Sequence, residues 1–101
     1  MMAAYVDDLR TTPRSKKWPF GFACHMFADT PEELDSFAAR IGLNPSWLQE
    51  GNKGHPPHFD LTRNMRARAL ASGAMELKTN QEVVNLWDRI WTTRPNYKGG
   101  A

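Results

Sequence analysis

A segment of alternating apolar residues, positions 22–29, runs without a break into a helix start, and this junction restricts the chain to folds that mix strands with helices. Phe22, Cys24, Met26 and Ala28 share one face of the segment, and Ala23, His25, Phe27 and Asp29 share the other, as in a strand whose two sides meet different surroundings. Thr30-Pro31-Glu32-Glu33 follows directly and combines a capping box with proline at the first helical position. Leu34, Phe37, Ala38 and Ile41 then recur at helical spacing before Gly42 stops the helix.

The flanking sequence repeats this alternation. Residues 4–9 read as another short strand. Residues 10–21 read as a cationic loop, with four basic side chains, two prolines and no acid. Residues 44–49 fit a helical turn capped by Asn44 or the entry to a strand, and propensity leaves both open. Residues 50–57, with two glycines and two prolines, are a loop. A second helix is predicted to start near Thr62, with Thr62 or Asp60 as its cap, Leu61, Met65 and Ala69 on one side, and Gly73 as its stop. Residues 74–77 form a short strand. Thr79 to Glu82 is another capping box, opening a third helix with an apolar stripe of Val83, Val84, Trp87, Ile90 and Trp91 that ends at Arg94-Pro95. The expected architecture is a single α/β domain over residues 1–95, a layer of three to four short strands with about three packed helices, followed by a flexible tail at 96–101.

Composition narrows the function classes. The chain has 101 residues, 41% apolar and 24% charged, enough for one core without staples. Its single cysteine, Cys24, excludes an internal disulfide and a zinc ribbon, which fits a cytoplasmic location. The first residues carry two acids and no basic start, and no apolar run reaches membrane-spanning length, so neither secretion nor membrane insertion is expected. A net charge of +2 is too weak a field to argue for duplex DNA binding. Walker, dinucleotide-binding, nucleophile-elbow and paired Cys-x-x-Cys signatures are missing from the sequence.

Several polar groups are candidates for chemistry. Asp7 and Asp8 stand at a strand exit, where open α/β sheets place ligands and where turn acids are also common. His58 and Asp60, two apart, share a face in extended backbone, so an imidazole and a carboxylate can meet one metal ion or one proton; the competing reading has Asp60 capping the second helix. His25 alone reads as a core histidine, and His55 as solvated. Thr62, Arg63 and Arg66 sit at the positive end of the second helix, a place for a phosphate or carboxylate. On that reading Arg66→Ala costs binding and leaves stability unchanged. Arg14, Lys16 and Lys17 beside Trp18 and Phe20 join positive charge to flat apolar surface, the pair of elements used to hold nucleotides.

The segments Tyr5-Val6-Asp7-Asp8, Cys24-His25-Met26-Phe27-Ala28-Asp29, His58-Phe59-Asp60-Leu61-Thr62 and Arg66-Ala67-Arg68-Ala69 through Gly73-Ala74 together resemble a small bacterial and phage family catalogued as domain of unknown function 4031. The resemblance covers residues 4–77 and implies a small stand-alone domain, with no catalytic residues to transfer. Two functions compete. The first is a binder of a small phosphorylated ligand, a nucleotide or nucleotide-derived signal, through Lys17, Trp18, His25, His58, Asp60, Thr62, Arg63 and Arg66, with no cofactor. The second is a metal-dependent phosphodiesterase or nuclease in which Asp7, His58 and Asp60 hold a divalent ion. A third reading uses exposed tryptophans as anchors for a protein partner, a homo-oligomer included. The sequence favours the binder, because its cationic and aromatic set is richer than its metal set.

Overall fold

The computed structural model describes residues 4–16, 18–49 and 56–93. Lys17, His55, the end of the third helix at Arg94-Pro95 and the tail at 96–101 lie outside the described residues, as do the side chains of Ile90 and Trp91. The described chain is an α/β domain of six strands and three α-helices: β1 (Ala4–Val6), β2 (Arg10–Thr11), β3 (Phe22–Ala28), α1 (Pro31–Arg40), β4 (Leu48–Gln49), β5 (His58–Leu61), α2 (Arg63–Ala71), β6 (Met75–Glu76) and α3 (Asn80–Thr93). The sheet runs β4-β5-β3-β1-β6, with β2 also paired to β3. Among the described strands only the β1–β6 pairing is parallel.

The strand count exceeds the three to four expected. Residues 58–61, expected as the approach to the second helix, form a strand beside β3. Phe59 and Leu61 are buried there while His58 and Asp60 take the opposite face. Both readings of residues 44–49 hold: Asn44 caps a one-turn 3-10 helix, Pro45–Trp47, which leads straight into β4.

The helix signals act locally as expected. Thr30 Oγ1 accepts from Glu33 N–H at 3.0 Å, Thr62 Oγ1 from Met65 N–H at 3.2 Å, and Thr79 Oγ1 from Glu82 N–H at 3.1 Å, each satisfying an amide that the helix leaves open. Gly42, at φ +85°, lets the chain leave α1 in a left-handed turn.

Apolar packing fills both sides of the sheet. Cys24, Met26, Phe59 and Leu61 meet Leu34 and Phe37 of α1, Ile41 at its C-terminal cap and Ala69 of α2 on one face. Burial, with the nearby Asp7 charge adding to it, pushes the Cys24 thiol up to about 12, so it is a core side chain and not a nucleophile. On the other face Phe27 packs against Leu77, Val83 and Leu86, with Trp87 edge-on to its ring at 5.6 Å. Leu86 thus belongs to the buried stripe of α3, whereas Val84, expected in it, is exposed. Arg89 of α3 donates to Asp29 Oδ1 at 2.7 Å and to Tyr5 Oη at 3.1 Å, tying the helix to the far end of that face. Beyond Phe27 the same face carries His25, His58 and Asp60.

Candidate metal centre

Three side chains of β3 and β5 converge because the strands are antiparallel neighbours with His25 opposite Asp60. His58 lies two residues before Asp60 and therefore on the same face. The Nε2 atoms of His25 and His58 stand 3.8 and 3.6 Å from the same oxygen, Asp60 Oδ1. One ligand atom from each of the three residues lies within 4.8 Å of the others.

The outer nitrogens are engaged. His25 Nδ1 is 2.8 Å from Asp7 Oδ2, and His58 Nδ1 is 3.0 Å from the carbonyl oxygen of Pro56. Both partners are acceptors, so each Nδ1 carries the proton, and in the neutral ring each Nε2 presents its lone pair to Asp60. A histidine ligand held from behind by a carboxylate or carbonyl is the usual outer arrangement of a metal site. Separations of 3.6 and 3.8 Å are too long for hydrogen bonds. They are close to the roughly 3.3 Å between ligand atoms around a tetrahedral ion with bonds of about 2.0 to 2.2 Å. Two imidazoles and one carboxylate suit a first-row divalent ion and leave coordination positions for water and substrate.

Asp7 stands behind His25 rather than beside His58 in the ligand set. The register of β1 and β2 on β3 explains how. Val6 faces Met26 and Arg10 faces Ala23, so four steps on one side meet three on the other, and a bulge falls at residues 7–9. Asp7 N–H still donates to the His25 carbonyl at 3.2 Å, but His25 N–H turns to the Asp7 side chain, donating to Oδ1 at 2.6 Å. One buried carboxylate thus fixes both the main chain and the ring of His25. Asp7 is 1% exposed. Its hydrogen bond is the largest influence on His25 and raises the imidazole above its ordinary value against the effect of burial, which makes the ring a better donor to a metal.

The bulge leaves the Asp7 carbonyl outside the ladder, and Arg66 takes it. Arg66 Nε donates to Asp7 O at 3.0 Å, and its Nη2 donates to Glu76 Oε2 at 2.8 Å. Arg63 instead lies over the Phe22 ring at 4.2 Å. The two guanidinium groups expected to clamp one phosphate are thus engaged by different partners. Only 15% of the Arg66 side chain is exposed. Stability, expected from sequence to be indifferent to Arg66, should therefore depend on it. Arg66→Ala removes a charged donor from a buried carbonyl, a loss of about 1.5 to 3 kcal/mol. In a thermal melt that is a drop of roughly 6 to 20 °C. Arg63→Ala, which loses an exposed cation–π contact of about 0.5 to 1 kcal/mol, should melt within a few degrees of wild type. Coincident melts for wild type and Arg66→Ala would show that the contact is not a structural strap.

A cavity of about 880 Å³ opens beside the triad. His25 and Asp60 line it together with Arg10, Thr62, Trp18, Phe20 and Trp47. Thr62, besides capping α2, therefore faces the same space. Trp47, in the stretch left open by sequence reasoning, was not among the expected site residues; it is 55% exposed. Among the described residues no helix is long and apolar enough to cross a membrane.

Fold and site together define a small α/β domain with a two-histidine, one-carboxylate cluster on an open part of its sheet. The chain belongs to the family described as "Protein of unknown function (DUF4031)", whose model matches residues 4–89. No curated protein and no solved structure matches it.

Proposed function

We propose that this protein is a metal-dependent phosphodiesterase acting on a nucleotide-type substrate, with a first-row divalent ion held by His25, His58 and Asp60. The observation that carries this reading is the fixed orientation of both histidines: each Nδ1 is tied to an oxygen acceptor, and both Nε2 atoms meet one carboxylate oxygen. An ion held there by His25, His58 and Asp60 would supply a water of lowered pKa and would withdraw charge from a phosphoryl oxygen. In the reaction a water oxygen forms a new bond to phosphorus as the P–O bond to the leaving alcohol breaks. The products are a phosphomonoester and an alcohol, and the proton that the attacking water loses balances the one that the leaving oxygen takes up. Arg10, half exposed in the same cavity and 3.5 Å from Asp7, supplies positive charge for the phosphate. The cation-rich loop leading to Trp18 favours a phosphate ester over a neutral ester.

A second reading keeps the cavity and omits turnover: a binder of phosphorylated ligands. It is favoured by the partial seclusion of His58, whose side chain is 16% exposed against 36% for His25 and Asp60.

Release of p-nitrophenolate from bis(p-nitrophenyl) phosphate, together with cleavage of single-stranded DNA, RNA and cyclic dinucleotides, separates the two. With Mn²⁺, Zn²⁺ or Mg²⁺ added, turnover is expected for wild type and at least a hundredfold less for Asp60→Ala. Nucleotide binding without turnover under every metal would select the binder. An equal rate in Asp60→Ala would remove this centre from the chemistry.

A further inference from the structure

The walls of the cavity beside the metal ligands are more aromatic than phosphate binding requires. Phe20 and Trp47 are 51% and 55% exposed, two of the four large apolar side chains that stand exposed among the described residues, and both line this cavity. Leaving such surface in water is unfavourable unless it meets something.

The Trp18–Phe20 pair is also held in place, and Trp47 is carried on a defined turn. Trp18 donates from Nε1 to the Phe22 carbonyl at 2.8 Å and stands edge-on to Phe20 with centroids 5.0 Å apart. Trp47 ends a 3-10 turn closed by its own N–H on the Asn44 carbonyl at 3.0 Å and by Asn44 Oδ1, which accepts from Ser46 N–H at 2.9 Å. A flat surface fixed before a ligand arrives, as at Trp18, loses little freedom when the ligand binds.

We infer that Trp47, together with the Trp18–Phe20 pair, forms a base subsite that receives the nucleobase of a substrate whose phosphate lies at His25, Asp60 and Arg10. This rests on the phosphodiesterase reading and names its substrate class as single-stranded nucleotides, cyclic ones included. The π-face of any base suits such rings, so stacking selects for a base without selecting which one. A duplex keeps its bases stacked on one another and out of reach.

The test uses the full chain and the quenching of tryptophan fluorescence. Adenosine 5′-monophosphate is titrated against ribose 5-phosphate, which carries the same phosphate and sugar without a base, with and without Zn²⁺. Wild type should bind the nucleotide at least about tenfold more tightly than the sugar phosphate. Trp47→Ala should lose roughly 5- to 100-fold in nucleotide affinity, the range seen when one stacking partner is removed. Its affinity for ribose 5-phosphate and for Zn²⁺ should stay unchanged, and Trp47→Phe should recover most of the loss. Phe20→Ala, at a half-exposed position, gives a second variant that spares the core. Equal affinity for the two probes in wild type, no binding of either, or an undiminished preference in both alanine variants overturns the subsite. A Trp47→Ala variant that instead changes the sedimentation of a self-associating wild type assigns the rings to a contact between copies, and also overturns it. Base preference in a protein that binds no metal leaves the subsite standing and removes the phosphodiesterase reading.

Discussion

Asp7→Ala should melt roughly 10 to 25 °C below wild type and should bind Zn²⁺ at least 10- to 100-fold more weakly. The carboxylate is buried and accepts from both the main-chain N–H and the ring of His25. Its removal leaves an amide in the middle of the sheet without an acceptor, which with the lost charged hydrogen bonds amounts to about 2 to 4 kcal/mol. For a domain of this size each kcal/mol moves the melting temperature by about 4 to 8 °C. The loss of metal affinity follows from freeing the ring, since outer partners of ligating histidines are worth about that much. Asp7→Asn separates the two effects. The main-chain N–H of His25 can only donate, so the amide oxygen must face it, and the amide nitrogen then faces Nδ1. The ring answers by moving its proton to Nε2, where it blocks the metal. Asp7→Asn should therefore melt close to wild type and still lose most of its Zn²⁺ affinity. Calorimetric titration beside the melts reads both quantities, and a Zn²⁺ affinity unchanged in Asp7→Asn would refute the assigned proton position.

Metal itself should stabilise the fold. An ion that binds only the native state adds about 2.7 kcal/mol at a hundredfold excess over its Kd, which corresponds to roughly 10 to 20 °C in melting temperature. The shift should vanish with EDTA and be lost in His25→Ala, His58→Ala and Asp60→Ala. Asp60→Ala is the cleanest of these, because its side chain is partly exposed and the metal-free variant should melt near wild type. A Zn²⁺-dependent shift that survives in Asp60→Ala would place the ion elsewhere on the chain.

The parts of the molecule that were legible in the sequence are those governed by neighbours along the chain. The three helix starts are written in threonines three residues before a helical amide, and the faces of β3 in plain alternation. His58 and Asp60 shared a face as soon as the backbone was extended. What escaped depends on residues far apart. The importance of His25 comes from Asp7, 18 positions earlier, and from Asp60 on the adjacent strand. No local pattern announces either contact. Arg66 looked like a solvated helix cation because its acceptor, the Asp7 carbonyl, lies 59 positions away and is free only through a bulge. β5 was hidden by its brevity, four residues of which two are polar. The role proposed for Trp47 needed the cavity, which is assembled from loops and strands widely separated in sequence.

The alternation along β3 makes foldability and chemistry hostage to the same alignment. Cys24 and Met26 enter the core while His25, between them, faces the ligand cluster. A slip of one position relative to β1 and β5 would carry the imidazole inward among Phe37 and Leu61 and bring a thiol or a thioether to the open side. A single inserted or deleted codon within this strand would accordingly abolish the packing and the cluster at one stroke, whereas point changes can erode either one separately. The seven residues from Phe22 to Ala28 are thus a stretch in which length is more tightly constrained than identity.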